Sequence, residues 1–370
     1  MPESQKTILI LAGPTGGHLF PAWAFAEALR AQRPGWRLCL LTGARARQLG
    51  QEFQSAPFDT VYYACDFHGI SFHPLRLFQG LFGALTALVQ AWTWISREKP
   101  ALAAGFGSYA SVPGVLLASW RGIPILLHEQ NKIAGKATRF LMPHGRFLAA
   151  SFEETVPVPE KGRSWTVTGL PIRRKLLEEA RSFERDFNKP RLTWLVVGGS
   201  QGSQRINQQV CKTLELLSPE ESQKLAVILI TGKQSFEKTA AACRQLKIPV
   251  QVHPFFDKMH ELFSQADFAL TRAGANTLFE LALFGVPAAV VPYPHAGAHQ
   301  NENAAAFEKH GAVVLQKESS LSSDLLLRMI RIFMLDGGLR QRLSGKIRKL
   351  AKPRAAEELA EKACALLEAL

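Results

Sequence analysis

The sequence predicts an α/β protein built as two doubly wound, Rossmann-like domains facing a central cleft. Three observations carry this. Short apolar runs alternate with helical patterns along all 370 residues, as expected for parallel strands joined by helical crossovers. The alternation starts afresh near residue 190, after the polar segment LEEARSFERDFNKP (177–190), which reads as a linker zone. The strand and glycine-rich turn at residue 11 then return in WLVVGGSQGS (194–203). The length suffices for two cores of roughly 150 residues each.

Taken in order, the strand candidates are TILILA, RLCLLTG, ALAAGF, IPILLHE, FLAAS and WTVTG in the first half. LTWLVVGG, LAVILITG, FALTRAG and PAAVVPY follow in the second. The first strand runs into LAGPTGGHLFPAW (11–23), where His18 opens a helix. Glycine lets a backbone approach an anion closely, and a helix N-terminus offers N–H groups and a favourable dipole. The turn has neither the lysine of a P-loop nor the G-x-G-x-x-G spacing, and a tight turn with a capping histidine is the plainer reading. Residues 77–96 carry no charge over a membrane-spanning length. Polar or small residues nevertheless recur along them at intervals of three and four, and Leu75, Phe78, Phe82, Leu85, Val89 and Trp92 repeat on another face. That pattern, with Gly80 and Gly83 inside it, favours an amphipathic helix with a narrow polar stripe over a transmembrane span, either buried between neighbours or resting on a bilayer through an exposed end. The tail 354–370 reads as one more amphipathic helix.

Composition narrows the partners. The net charge is +13, and residues 67–152 set eight Lys and Arg against Glu98 and Glu129 alone. Without a dense basic run or a nucleic-acid motif, the excess suits phosphate-bearing substrates or an anionic membrane surface rather than nucleic acid. A solvated basic face is the bland alternative. Five scattered cysteines with no C-x-x-C spacing fit reduced thiols and no zinc site. The N-terminal apolar run is too short for a signal peptide.

Further polar groups fall at predicted strand ends, where open α/β sheets bind ligands. GFGSYASVPG (105–114) nominally fits G-x-G-x-x-A through Gly105, Gly107 and Ala110, with Glu129 at a suitable distance. Pro113 weakens a dinucleotide reading, and a phosphate or sugar approaching the glycines fits better. HEQN (128–131) places His128 and Glu129 to orient a sugar hydroxyl or His18, or simply to cap the next helix. In TRAGANTLFE (271–280), a turn at Gly274 opens a helix able to hold a pyrophosphate, with Glu280 placed to accept ribose hydroxyls. His299 and Gln300 can read sugar hydroxyls. No D-x-D pair is present to bridge a metal, so a pyrophosphate would be balanced by helix dipoles and side chains such as Arg173 or Arg205.

These segments together resemble the MurG family of peripheral membrane N-acetylglucosaminyltransferases, which make lipid II from lipid I in peptidoglycan synthesis. Seven blocks carry the resemblance, in order over nearly the whole chain: AGPTGGHLFPA, GFGSYASVPG, PILLHEQN, TGLPIR, VVGGSQGSQRIN, RAGANTLFE and GVPAAVVPY with HQNENA. The resemblance implies a GT-B fold with an acceptor and membrane domain over 1–172 and a UDP-sugar domain over 173–351. The helix 352–370 would return to the first domain. It implies UDP-N-acetylglucosamine as donor, lipid I as acceptor, inversion at the anomeric carbon, no cofactor, no metal in the nucleotide site, and residence on the cytoplasmic face of the bacterial inner membrane. It places Thr15, Gly16 and Gly17 beside the donor sugar and acceptor pyrophosphate, with Gly105, Gly107, Ser108 and Tyr109 as the acceptor phosphate turn. Asn131 and Gln300 would touch the donor sugar, while Arg173, Ser200, Ala275, Asn276, Thr277, Leu278, Phe279 and Glu280 would hold the nucleotide. Phe256 would offer its backbone to uracil. Leu75, Phe78, Phe82, Leu85 and Trp92 would form the membrane patch. For the base that takes the acceptor proton, His18 is the first candidate and Glu129 the second. The sequence departs from the family pattern at Pro14, Leu170, Asn276 and Phe279.

Three other readings stay open: a related transferase with a different lipid acceptor, a nicotinamide-dependent oxidoreductase using the 105–110 turn, and a non-catalytic nucleotide-sugar binder.

Overall fold

The structure is a computed structural model that describes residues 5–48, 53, 55–64, 74–159, 164–199, 202–294 and 299–369; the side chains of 48, 74–82 and 84 lie outside the description. The chain divides into two compact units, residues 1–174 with 352–370, and residues 175–351.

The first unit holds a parallel sheet of seven strands: β1 (Thr7–Leu11), β2 (Arg37–Gly43), β3 (Thr60–Ala64), β4 (Leu102–Gly105), β5 (Ile125–Glu129), β6 (Phe147–Ala150) and β7 (Ser164–Val167). Their order is β3-β2-β1-β4-β5-β6-β7. β1 and β4 are therefore neighbours, paired Leu11 to Gly105 at their carboxyl ends. The first strands are apolar on both faces because helices cover both, as parallel sheets require. Ile8, Ile10, Leu19, Phe25 and Trp23 form one layer with Leu359, Ala363 and Leu367. The last three come from the helix Ala355–Glu368, whose small residues let it lie along the helix Gly16–Gln32. Gln32 Nε2 also donates to the Glu357 carbonyl at 3.2 Å.

The second unit has six parallel strands: β8 (Leu192–Val197), β9 (Leu225–Ile230), β10 (Val250–His253), β11 (Phe268–Thr271), β12 (Ala288–Val290) and β13 (Val314–Leu315), ordered β10-β9-β8-β11-β12-β13. β8 and β11, which precede the two glycine-rich turns of this half, lie side by side.

All ten strand candidates are strands, but β3, β10 and β13 were not foreseen. All three lie at sheet edges and are partly exposed; β3 and β10 mix polar with apolar residues, and β13 is only two residues long. The segment 177–190 is no free linker. It begins in the helix Arg174–Ser182, and Arg185 then plugs into the second unit, donating to the carbonyls of Gly285, Phe263, Phe284 and Ala266.

The helix Pro74–Glu98 contains the charge-free stretch, and no helix among the described residues is long and apolar enough to cross a membrane. Its buried ridge is Ala87, Ala91 and Ile95, while Leu85, Val89 and Trp92 are 61%, 57% and 42% exposed. Small residues thus set the packing face against the helix Val112–Trp120, and the large apolar side chains point outward.

Candidate active site

In the first unit the turns after β1 and β4 meet. Gly13 has no room for a side chain: a Cβ there would fall 2.4 Å from the Ser108 Cβ and 2.9 Å from the His18 ring. Gly107 has φ of +77° and faces the same ring, while Ser108 holds φ of +73° without being glycine. Such strain in a side-chain-bearing residue persists only where the surroundings enforce it, commonly at ligand sites. The glycine turns expected to bind donor and acceptor groups are therefore one structure built around His18. Thr15 and Gly17 are exposed at the N-terminus of the helix Gly16–Gln32, whose first turn has no acidic residue. That end is suited to an anion. Tyr109, which follows Ser108, is 40% exposed.

His18 Nδ1 lies 2.8 Å from the Phe106 carbonyl oxygen. A carbonyl only accepts, so Nδ1 carries the proton and neutral His18 keeps a lone pair on Nε2. Burial pulls the His18 pKa below 6.5, against the charge of Glu129, the Phe106 carbonyl and Gln130, which favour the imidazolium. The imidazole is thus neutral near pH 7 and surrounded by groups that ease its protonation during a reaction.

HEQN lies at the end of β5. His128 is fully buried; it approaches the Gly169 carbonyl at 3.3 Å and Gln130 at 3.3 Å, and burial pushes its pKa down to about 4. It cannot touch a sugar and serves the interior. Glu129 Oε1 accepts from the Asn131 amide at 2.9 Å and side chain at 3.1 Å, and Oε2 accepts from the Gly135 amide at 3.1 Å. Glu129 thereby shapes the loop carrying Asn131. Gln130, not singled out in the sequence, donates to the same Phe106 carbonyl at 3.0 Å. Arg173 is 4% exposed and stacks over Phe20 at 4.3 Å.

In the second unit the turns after β8 and β11 border a cavity of about 850 Å³, lined by Gly198, Gly199, Gly202, Gln204, Arg272, Tyr293 and Gln300 among others. Gly202 is obligatory, with φ of +78° and the Thr231 carbonyl 2.0 Å from any added Cβ. Ser203 caps the helix Gln204–Glu215 through Ile206 N at 3.3 Å. Gln300 Oε1 accepts from the amides of Ala273 at 3.2 Å and Tyr293 at 2.9 Å, fixing the loops around it. Arg272, a residue sequence reasoning passed over, is 6% exposed at the end of β11. Its guanidinium donates to Ser203 Oγ at 2.7 Å, to Glu318 at 2.5 Å and to the carbonyls of Val291 and Pro292, each at 3.2 Å. Its only sequence signal was a cation between an apolar strand and a glycine turn.

The helix Ala275–Phe284 starts at Gly274 with no acidic residue in its first turn. Within it, Ala275, Leu278 and Phe279 point into the core, and Phe279 packs edge-on against Phe307 at 5.5 Å. The bulky Phe279 is thus absorbed by the interior, so these residues offer a ligand backbone rather than side chains. Asn276 and Thr277 are half buried, and Glu280 is 8% exposed. Phe256 meets His253 edge-on at 5.0 Å. Ser200 lies outside the described residues, as do the side chains of Leu75, Phe78 and Phe82. Among the described residues no group of three or more His, Cys, Asp or Glu is placed to hold a metal ion.

Residues 8–145 match the glycosyltransferase family 28 N-terminal domain and residues 193–359 its C-terminal domain. A UDP-N-acetylglucosamine–N-acetylmuramyl-(pentapeptide) pyrophosphoryl-undecaprenol N-acetylglucosamine transferase of Brucella abortus is 32% identical over 369 residues, covering 98% of this chain and 95% of that protein. The protein of the same name from Bartonella bacilliformis is 30% identical over 368 residues, with the same coverage. The crystal structure of Acinetobacter baumannii MurG superposes with a TM-score of 0.73 at 28% identity, over 99% of this chain and 100% of that one.

Proposed function

The chain belongs to glycosyltransferase family 28, with the GT-B fold of its MurG members, and from that premise we propose that it is the N-acetylglucosaminyltransferase that converts lipid I to lipid II. The observation that carries the assignment is full-length likeness at 32% identity to a transferase of that name, spanning both units. Neither an oxidoreductase nor a simple binder accounts for it.

The 4-hydroxyl of the lipid I muramyl sugar attacks the anomeric carbon of UDP-N-acetylglucosamine. The bond from that carbon to the UDP oxygen breaks, the configuration inverts, and UDP leaves with the electron pair. His18 Nε2 takes the hydroxyl proton, a role supported by its fixed tautomer and lowered pKa. Glu129 favours the resulting imidazolium and holds Asn131 toward the donor sugar. The helix N-terminus at Gly16 and the turn at 105–109 receive the acceptor pyrophosphate. In the second unit, the backbone of 275–278, the glycines Gly198, Gly199 and Gly202, and Arg272 balance the charge that develops on the leaving diphosphate. Glu280 receives ribose hydroxyls, Phe256 offers its backbone to uracil, and Gln300 binds the donor sugar.

The enzyme works on the cytoplasmic face of the bacterial inner membrane. The surface that supports this is on the first unit: Trp92 and Trp120, 42% and 73% exposed, pack at 5.6 Å, with the Arg121 guanidinium 4.0 Å over Trp92. Exposed Phe140 sits beside Arg139 and Lys136. Aromatic rings with cations suit an anionic lipid headgroup layer.

The test is UDP release from UDP-N-acetylglucosamine with and without a lipid I analogue, in EDTA. Analogue-dependent release establishes the acceptor. Donor binding without such release sinks the assignment.

A further inference from the structure

Two cysteines of the second unit meet sulfur to sulfur. Cys211, on the helix Gln204–Glu215, and Cys243, which ends the helix Phe236–Cys243, place their Sγ atoms 3.8 Å apart. Both side chains are buried, at 8% and 6% exposure. Cys211 lines the donor-side cavity together with Lys212, Lys238 and Asn207, whose buried Oδ1 has no hydrogen-bond partner. Nothing in the transfer reaction uses either thiol.

We propose that Cys211 and Cys243 form a modification site, a dithiol reached through the cavity, which a small disulfide of the glutathione class converts to an intramolecular disulfide that reshapes the cavity wall. Closing to a bonded pair requires the sulfurs to approach by about 1.8 Å, since an S–S bond is about 2.0 Å long. The roles of the two are unequal. The Cys243 S–H pulls the Cys211 pKa down, while that contact and burial push Cys243 up. Cys211, which also lines the cavity while Cys243 does not, is therefore the attacking thiol of the pair, and the two lysines of the cavity draw an anionic disulfide toward it. The Cys211 thiolate attacks one sulfur of the small disulfide, forming a mixed disulfide and expelling one small thiolate. Cys243 gives its proton to that thiolate, attacks the Cys211 sulfur and expels the second small thiolate. Two protein thiols are oxidised, one small disulfide is reduced to two thiols, and the bond joins the two helices.

The helix Gln204–Glu215, capped by Ser203, brings Gln204 and Gln208 to the cavity, and the helix Phe236–Cys243 brings Lys238 and Thr239 to the same cavity. Drawing the two helices together moves lining residues that both of them contribute. That coupling rests on reading this cavity as the donor's; the disulfide itself does not.

The experiment treats the full chain with glutathione disulfide, maps unreduced peptides by mass spectrometry, and measures UDP affinity by calorimetry before oxidation, after it, and after dithiothreitol. The expected result is a Cys211–Cys243 linked peptide lacking two hydrogens, with UDP bound about five-fold more weakly until reduction. Cys243→Ser should instead stop at a glutathione adduct on Cys211. A wild-type protein that yields no linked peptide, or only stable adducts, overturns the site. A linked peptide with unchanged UDP affinity overturns the coupling. Absence of UDP binding by the reduced protein overturns the donor reading and the coupling with it, while the linked peptide still decides the dithiol.

Discussion

Replacing Arg272 with methionine separates the two things this residue does. Its guanidinium is 7% exposed and its partner Glu318 is 12% exposed. Removing the cation leaves the Glu318 carboxylate and two carbonyls without the donor they had, and leaves Ser203 Oγ only its cap bond from Ile206 N. Breaking a buried pair from one side costs about 3–5 kcal/mol, because a charge remains in a poor dielectric. For a unit of this size that lowers the unfolding midpoint by about 6–20 °C. The double variant Arg272→Met/Glu318→Leu removes both charges and should regain most of that loss, since well-packed apolar replacements of ion pairs are often neutral. UDP affinity should not return, because the cation proposed to face the diphosphate is absent in both variants. The expected deficit is about 1.5–3 kcal/mol, or roughly tenfold to 150-fold. Scanning calorimetry and UDP titration read the two effects separately. A single variant within about 1 kcal/mol of wild type refutes the burial argument. A double variant that binds UDP like wild type shows that Arg272 acts only on the fold.

Other perturbations give equally definite outcomes. His18→Ala should lower kcat by about 10²–10⁴ with donor affinity little changed. Because burial depresses the His18 pKa, wild-type kcat/KM should rise with pH through a midpoint below 6.5, and a variant that keeps this limb removes His18 from proton transfer. His128 binds its proton near pH 4 when folded and near 6.5 when unfolded, so the unfolded chain holds more protons between those values. Stability is therefore complete above pH 6.5 and falls by about 3 kcal/mol as pH drops toward 4. Urea midpoints at pH 7 and 4.5 check this, and His128→Asn should show a shallower fall. Trp92→Ser/Trp120→Ser should weaken sedimentation with anionic phospholipid vesicles roughly 30-fold, taking about 1 kcal/mol of insertion per ring; unchanged sedimentation would place the membrane contact elsewhere.

The fold class and most of its elements are written in local pattern. Strands buried on both faces are continuous apolar runs, so β1, β2, β4, β5, β8, β9 and β11 could be read directly, whereas edge strands β3 and β10 lack that signature because solvent covers part of them, and β13 is too short to stand out. The glycine-rich turns were equally visible, since a backbone that must pass close to another chain segment excludes a Cβ.

What the sequence by itself determined is therefore the alternation, the four glycine turns and the chemistry available at them. Tertiary structure decided which turns share a site. It set Gly13 against Ser108 around His18, fixed the His18 tautomer through Phe106, turned His128, Leu278 and Phe279 inward, and brought Arg272 to Ser203 and Glu318. It also decided which face of the helix Pro74–Glu98 is outermost, against the polar stripe in its sequence. The reason is physical: periodicity and turn chemistry are properties of neighbours along the chain, while hydrogen-bond partners, burial and pKa depend on strands that are adjacent in the sheet and distant in sequence.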